Sequence, residues 1–128
     1  MTDVSDLLRS KETSIAVVGA TDARWKYGGR IYCDLKAKGF TVWPVNPNRE
    51  TVDGDTCYPD LASVPADIDI VDVVVPADVG MTIVDQMADL GLPLVWFQPG
   101  AESRELIDHA RDAGLDVIHH RCIMIEAR

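Results

Sequence analysis

A single glycine and a glycine pair flank a polar segment near the N-terminus and carry the clearest chemical signal in the sequence. Gly19-Ala20-Thr21 follows a short apolar run, and Gly28-Gly29 begins a helical pattern. Glycine lets the backbone turn tightly and approach an anion, and the first N–H groups of a helix favour phosphate. The Thr21 hydroxyl is a further donor. We predict a phosphate-binding loop here; the alternative is a tight strand–helix turn without a ligand.

Positive charge is concentrated in the same segment. Arg24, Lys26 and Arg30 lie close together in a chain with 12 Lys and Arg against 21 Asp and Glu, for a formal net charge of −9. We expect Arg24 and Lys26 to neutralise phosphate, the alternative being a solvated loop. The overall acidity disfavours a general nucleic-acid binder, which needs a basic face. Aspartate outnumbers glutamate and lysine is scarce, so we interpret the surface as adapted to high salt.

The spacing departs from a dinucleotide-binding fingerprint in two ways. The glycines do not fit G-x-G-x-x-G, and the second predicted strand ends in Asn46-Pro47-Asn48 rather than in the acidic residue that binds a ribose 2′-hydroxyl. A loop with extra positive charge fits a ligand with a pyrophosphate and a further phosphomonoester. Coenzyme A and NADP both meet this description. We expect Asn46 and Pro47 to line the site, although turn chemistry alone would also explain them.

Short β-type runs alternate with amphipathic stretches, which predicts a parallel sheet with helices on both faces. The predicted strands are 14–19, 40–45, 68–75, 94–97 and 115–118, with a short edge strand at 122–125. The predicted helices are 29–38, 78–90 and 102–113, with one helical turn near 60–63. We therefore predict an α/β fold: a doubly wound, five- to six-stranded, mostly parallel sheet, Rossmann-like, with strand order 3-2-1-4-5. Residues 1–128 are expected to form one domain.

Unusual turn residues follow the predicted strands, at the edge where open α/β sheets bind ligands. Pro76 follows the third strand and Gln98-Pro99-Gly100 follows the fourth. His119-His120 and Cys122 follow the fifth strand, but their spacing matches no familiar zinc site, so no metal is expected. Asp72 lies inside an apolar strand, where we expect it to accept structural hydrogen bonds rather than act as a base.

The cysteines and the N-terminal residues indicate the cellular compartment in which the protein is expected. Three cysteines without regular spacing favour a reducing compartment over a disulfide framework. The N-terminal residues lack the features of a signal peptide, and no apolar run approaches the ~20 residues of a membrane span. We therefore expect a cytoplasmic protein that does not bind membranes.

Six motifs, in order along nearly the whole chain, resemble those of the small stand-alone CoA-binding domain proteins. They are Ile15–Thr21, Tyr27-Gly28-Gly29-Arg30, Trp43–Pro47, Asp69–Pro76, Trp96–Gly100 and Arg121–Glu126. Such proteins are similar in fold to the N-terminal domain of the succinyl-CoA synthetase alpha subunit. The resemblance implies that residues 21–24, Arg49 and residues 97–99 contact CoA, and that Val75 and Pro76 flank the adenine. His120 departs from the family, which often has Asp or Asn at that position.

Residues and resemblance together predict a site for coenzyme A. The predicted cofactor-binding residues are Gly19, Ala20, Thr21, Arg24, Lys26, Tyr27, Gly28, Gly29, Asn46, Pro47, Arg49, Val75, Pro76, Gln98, Pro99 and Gly100. We predict a module that binds coenzyme A or acyl-CoA without catalysis of its own, and a homodimer is one expectation for a domain this small. The alternatives are an NAD(P)-binding oxidoreductase-like protein, an accessory piece of an acyl-CoA synthetase, and a structural subunit with a vestigial site.

Overall fold

A computed structural model describes residues 4–128. In chain order its elements are α1 (Val4–Arg9), β1 (Ser14–Val18), α2 (Tyr27–Ala37), β2 (Thr41–Val45), β3 (Thr51–Val52), β4 (Asp55–Thr56), a 3-10 turn (Leu61–Ser63), β5 (Ile70–Val73), α3 (Ala77–Leu90), β6 (Leu94–Phe97), α4 (Arg104–Asp112), β7 (Asp116–Ile118) and α5 (Ile123–Glu126). The five main predicted strands and the three predicted helices are therefore present. Within residues 4–128, no helix has the length and apolar character needed to cross a membrane.

The main sheet has five parallel strands in the order β2-β1-β5-β6-β7, and β3 and β4 form a separate antiparallel hairpin. The predicted α/β class with a parallel, Rossmann-like sheet is confirmed. The predicted strand order 3-2-1-4-5 is wrong. In the numbering of the predicted strands, the observed order is 2-1-3-4-5, because β1 pairs with both β2 and β5.

Pro44 explains why β2 lies at the edge of the sheet. Proline has no N–H to donate to a second neighbouring strand, so sheets confine it to edge positions. Beyond Pro44, Tyr58 covers this edge: its N–H donates to the Pro44 carbonyl and its carbonyl accepts from the Asn46 N–H, both at 2.9 Å. By contrast β5 is buried along its whole length, which suits the central position that it occupies.

Alternate strand residues face two different helical layers. On one face, Ile15 and Val17 belong to a buried cluster with α2 and with the short helices α1 and α5. On the other face, Ala16 and Val18 belong to a cluster with α3 and α4. Covering both faces leaves the loops at the carboxyl edge of the sheet as the place where a ligand can reach the strand ends.

The C-terminal segment differs from the prediction. Residues 122–125 were expected to form an edge strand, but the structure has the helical turn α5 there. A short apolar run does not by itself distinguish strand from helix. Only Ile123 of this run is fully buried, whereas Ile125 is 75% exposed. The Ile123 N–H donates to Gln98 Oε1 at 3.3 Å, which fixes the start of the turn over β6.

Helix α4 begins at a side-chain cap, and the contribution of this cap to stability can be tested. Ser103 Oγ accepts a hydrogen bond from the Leu106 N–H at 3.1 Å. Replacing Ser103 with alanine leaves that N–H without its partner and should lower the free energy of unfolding by about 1 kcal/mol. Urea denaturation measures the loss, and Asp108→Ala, an exposed change in the same helix, should shift the midpoint much less. Equal shifts would contradict the capping role.

Candidate functional site

A cleft of about 980 Å³ opens at the carboxyl edge of the sheet, between the loops that follow β1, β2 and β5. It is lined by Val18, Gly19, Thr21, Lys26, Val45, Asn46, Pro47, Asn48, Pro59, Asp60, Val74, Val75, Pro76, Asp78, Val79, Thr82, Ile83 and Gln86. The strand order reverses between β1 and β5, and open α/β sheets bind ligands at such a switch point. The cleft therefore lies where this fold accommodates a ligand.

The β1–α2 loop is shaped by close backbone contacts at three glycines. Gly19 has φ +100°, and a Cβ there would lie 2.7 Å from the Val74 carbonyl oxygen. A Cβ on Gly28 would lie 2.0 Å from the Gly19 carbonyl oxygen, and one on Gly29 would lie 2.4 Å from that of Ala23. Helix α2 starts at Tyr27, two residues earlier than predicted, so the glycine pair forms its first turn. These glycines let the helix start pack directly against the loop.

The loop after β2 is joined to the first loop by one side chain. Asn46 Nδ2 donates to the Ala20 carbonyl oxygen at 3.0 Å, and Asn46 Oδ1 accepts from the Asn48 N–H at 2.9 Å. Ala20 is fully buried beneath this contact. Asn46 thus holds two walls of the cleft at a fixed separation, while Pro47 lines the cleft beside it.

Helix α3 supplies the third wall, which the sequence analysis did not include. Asp78, Thr82 and Gln86 line the cleft from one face of this helix. Their spacing of four residues is the signal that could have found them, because residues i and i+4 share a helical face. Gln86 Oε1 is buried and has no hydrogen-bond partner among residues 4–128. Such an acceptor is satisfied when a ligand or water supplies an N–H or O–H donor.

Seven predicted cofactor-binding residues line this cleft: Gly19, Thr21, Lys26, Asn46, Pro47, Val75 and Pro76. The basic residues fall into two groups. Lys26 lines the cleft, and no carboxylate among residues 4–128 forms an ion pair with it. Arg24 pairs with Asp53 at 3.4 Å and Arg49 pairs with Asp22 at 3.3 Å, and both arginines lie outside the lining.

Three further predicted residues follow β6 and lie away from the cleft lining: Gln98, Pro99 and Gly100. Gln98 is buried and donates from Nε2 to Asp72 Oδ1. Burial raises the pKa of Asp72 to about 8, although the Gln98 hydrogen bond lowers it. Asp72 therefore accepts a structural hydrogen bond, as expected, and its burial favours the uncharged form. Tyr27, another predicted residue, is half-exposed, and the Arg30 guanidinium lies 6.0 Å from its ring.

A network of charged and polar side chains connects helix α2 with the β3–β4 hairpin. Lys36 Nζ lies 3.0 Å from Asp53 and 2.8 Å from Asp55, and Tyr32 donates its hydroxyl to Asp55. The Lys36 ammonium lowers the pKa of both carboxyls, and these hydrogen bonds raise the pKa of Lys36. Burial, followed by the Asp55 hydrogen bond, raises the pKa of Tyr32.

Comparison with known proteins identifies the family. A family model described as "CoA binding domain" matches residues 13–128. The chain is 40% identical over 77 residues to a 4-hydroxybutyrate–CoA ligase (ADP-forming) of Nitrosopumilus maritimus, a match that covers 59% of the chain and 10% of the ligase. It is 36% identical over 75 residues to an acetate–CoA ligase (ADP-forming) II of Archaeoglobus fulgidus, covering 57% of the chain and 11% of the ligase. The matched segments thus span about a tenth of these curated relatives.

A solved structure of nearly the same length is also similar. A conserved hypothetical protein from Pyrococcus furiosus superposes with a TM-score of 0.85 at 42% identity, over 89% of this chain and 98% of that one. The apo form of a dinucleotide-forming acetyl-coenzyme A synthetase 1 from Ca. Korarchaeum cryptofilum superposes with a TM-score of 0.70 at 27% identity, over 82% of this chain and 25% of that one. With the family model matching nearly all of its length, this chain belongs to the CoA binding domain family.

Proposed function

We propose that the chain binds coenzyme A or acyl-CoA in the switch-point cleft and carries out no reaction by itself. The observation that carries the proposal is the cleft, in a chain of the CoA binding domain family, with a glycine-shaped loop on one wall and with the ammonium of Lys26, which forms no ion pair within residues 4–128. The negatively charged pyrophosphate would lie against this loop and the start of α2, because helix N-termini favour anions.

Two features of the lining fit the rest of such a ligand. Gly19 and Val75 both line the cleft, and Gly19 has no side chain that would keep a flat base or an amide chain away from the loop backbone. Gln86 Oε1 would accept a hydrogen bond from a ligand N–H, and coenzyme A carries such groups on its adenine and along its pantetheine arm. The apolar residues Val75, Val79 and Ile83 supply contact area between these polar points.

Calorimetric titration of the purified protein with coenzyme A, acetyl-CoA, NADP, NAD and ATP tests the ligand class. We expect binding of coenzyme A or acetyl-CoA that is at least tenfold tighter than that of NAD. Tighter binding of NAD or NADP would overturn the proposal, and no binding by any ligand would favour a vestigial site. The titration should be repeated across salt concentrations, since salt screens phosphate contacts.

Lys26→Ala should weaken coenzyme A binding by about tenfold, since a hydrogen bond to a charged group contributes about 1.5 kcal/mol. The dissociation constant is measured by the same titration. Arg104→Ala is the matched control, because it removes one positive charge from α4, away from the cleft lining. If both variants bound coenzyme A as tightly as the wild type, Lys26 would not be part of the binding site.

An accessory piece of an acyl-CoA synthetase is the second candidate, favoured by the matches to ADP-forming ligases. In a mixture of ATP, acetate and coenzyme A, we expect the chain alone to form no acetyl-CoA. The second candidate predicts that the chain restores acetyl-CoA formation to the A. fulgidus ligase from which the matching segment has been deleted. Acetyl-CoA formed by the chain alone would contradict both.

A further inference from the structure

The β3–β4 hairpin holds basic side chains of the β1–α2 loop and of helix α2 in ion pairs of unequal quality. Asp53 faces two cations: Lys36 lies 3.0 Å from Oδ2, and Arg24 lies 3.4 Å from Oδ1. The Arg24 side chain is 72% exposed, whereas that of Lys36 is 39% exposed. Charge-assisted N–H···O bonds are usually 2.7–2.9 Å long, so the contact with Lys36 is the firmer of the two.

Lys36 is fixed on its other side as well. Its ammonium also contacts Asp55 at 2.8 Å and the Asp53 carbonyl oxygen at 3.3 Å, and the Asp55 carboxylate accepts from the Tyr32 hydroxyl. Tyr32 is almost completely buried in the α2 layer. Lys36 is thereby held against the hairpin, while Arg24 has only a long contact with a carboxylate that already has a partner.

The hairpin backbone is also held in place without Arg24. The Asp53 N–H donates to Asp22 Oδ1 at 2.7 Å, which joins the tip of the hairpin to the β1–α2 loop. Movement of Arg24 away from Asp53 would therefore leave the hairpin attached and the Asp53 carboxylate still in contact with Lys36.

We propose that Lys36 is a positioning residue for the phosphate site: as the firm counter-ion of Asp53, it keeps Arg24 available to a ligand phosphate. This inference rests on the proposed binding of coenzyme A. Lys36 lies outside the cleft lining and acts through Arg24. Without Lys36, Asp53 would hold Arg24 as its remaining cation, and a phosphate would have to compete with that carboxylate.

Lys36→Met, which keeps the length of the side chain and removes its charge, should weaken coenzyme A binding about two- to fivefold, the range that exchange of a surface ion pair supports. Lys36→Arg should bind like the wild type. The double variant Lys36→Met/Asp53→Asn should recover the wild-type affinity, because it also removes the carboxylate that captures Arg24. The effect of Lys36→Met should shrink as salt is raised.

The double variant distinguishes a positioning role of Lys36 from an effect of Lys36 on the folding of the hairpin. Loss of Lys36 could weaken binding by loosening the hairpin, but a loosened hairpin would not regain affinity when Asp53 is also changed. Thermal denaturation of each variant reports that structural effect independently. Unchanged affinity of Lys36→Met, or no recovery in the double variant, overturns the role of Lys36. A wild-type protein that binds no coenzyme A overturns the proposed function itself.

Discussion

Replacing Gly28 with alanine should cost about 3 kcal/mol or more of folding free energy. The added Cβ would lie 2.0 Å from the Gly19 carbonyl oxygen and 2.9 Å from its carbonyl carbon, and backbone atoms cannot move aside as side-chain ends do. Either α2 must shift away from the β1–α2 loop or the loop must rearrange. Urea denaturation measures the loss, and the coenzyme A affinity of the remaining folded protein should fall with it.

Gly80→Ala is the matched control for this change. Gly80 also lies inside a helix, but the atom facing its Cβ position is the end of the flexible Leu106 side chain, at 2.8 Å. Leu106 can adjust its rotamer, and alanine favours a helix over glycine by about 1 kcal/mol. Gly80→Ala should therefore cost much less than Gly28→Ala. Similar losses for the two variants would show that the loop yields easily and that Gly28 is not required for its shape.

Asp72→Asn should increase stability above neutral pH and change it much less near pH 5. Burial raises the pKa of Asp72 to about 8, whereas the aspartate of the unfolded chain titrates near pH 4. Between these values the folded protein holds a proton that the unfolded chain has lost. The free energy of unfolding contributed by this group is therefore fully present below about pH 4 and decreases as the pH rises towards 8, by about 1.4 kcal/mol per pH unit. Asparagine stays uncharged, so the variant avoids this loss.

The measurement is the difference in unfolding free energy between Asp72→Asn and the wild type at several pH values, which cancels the contributions of the other carboxylates. From pH 5 to about pH 7.5 the difference should grow by roughly 3 kcal/mol in favour of the variant. Asparagine can keep the hydrogen bond from Gln98 through its own oxygen. A difference independent of pH would mean that Asp72 is ionised in the folded protein.

Local sequence signals were sufficient for most of the elements but not for the order of the strands. The alternation of apolar runs and helical patterns predicted β1, β2, β5, β6 and β7 and the three long helices with small errors at their ends. Strand order depends on which strands pair, and the pattern along the chain does not encode that pairing. Pro44 was the available clue: a residue without an N–H at this position is evidence for an edge strand.

Some of the residues predicted for the candidate site line the cleft and others do not, and the difference has a physical reason. Residues that follow a strand directly, such as Gly19 and Asn46, reach the carboxyl edge in any parallel sheet, and both line the cleft. Arg24, Arg49 and Gln98 also follow strands, but their direction depends on partners distant in sequence: Asp53, Asp22 and Asp72. Thr82 and Gln86 were missed because only the packing of α3 against the strand ends brings them to the cleft.

The position of Tyr58 beside β2 has a consequence for how copies of this chain meet. An exposed outer strand offers a row of donors and acceptors on which a strand from another molecule can add, which leads to aggregation or uncontrolled assembly. Tyr58 already occupies the bonds at Pro44 and Asn46, and proline offers no donor there. At the opposite end, β7 is only three residues long, which gives an incoming strand little to pair with. Both ends of the sheet are therefore poor templates for extension by a strand of another copy.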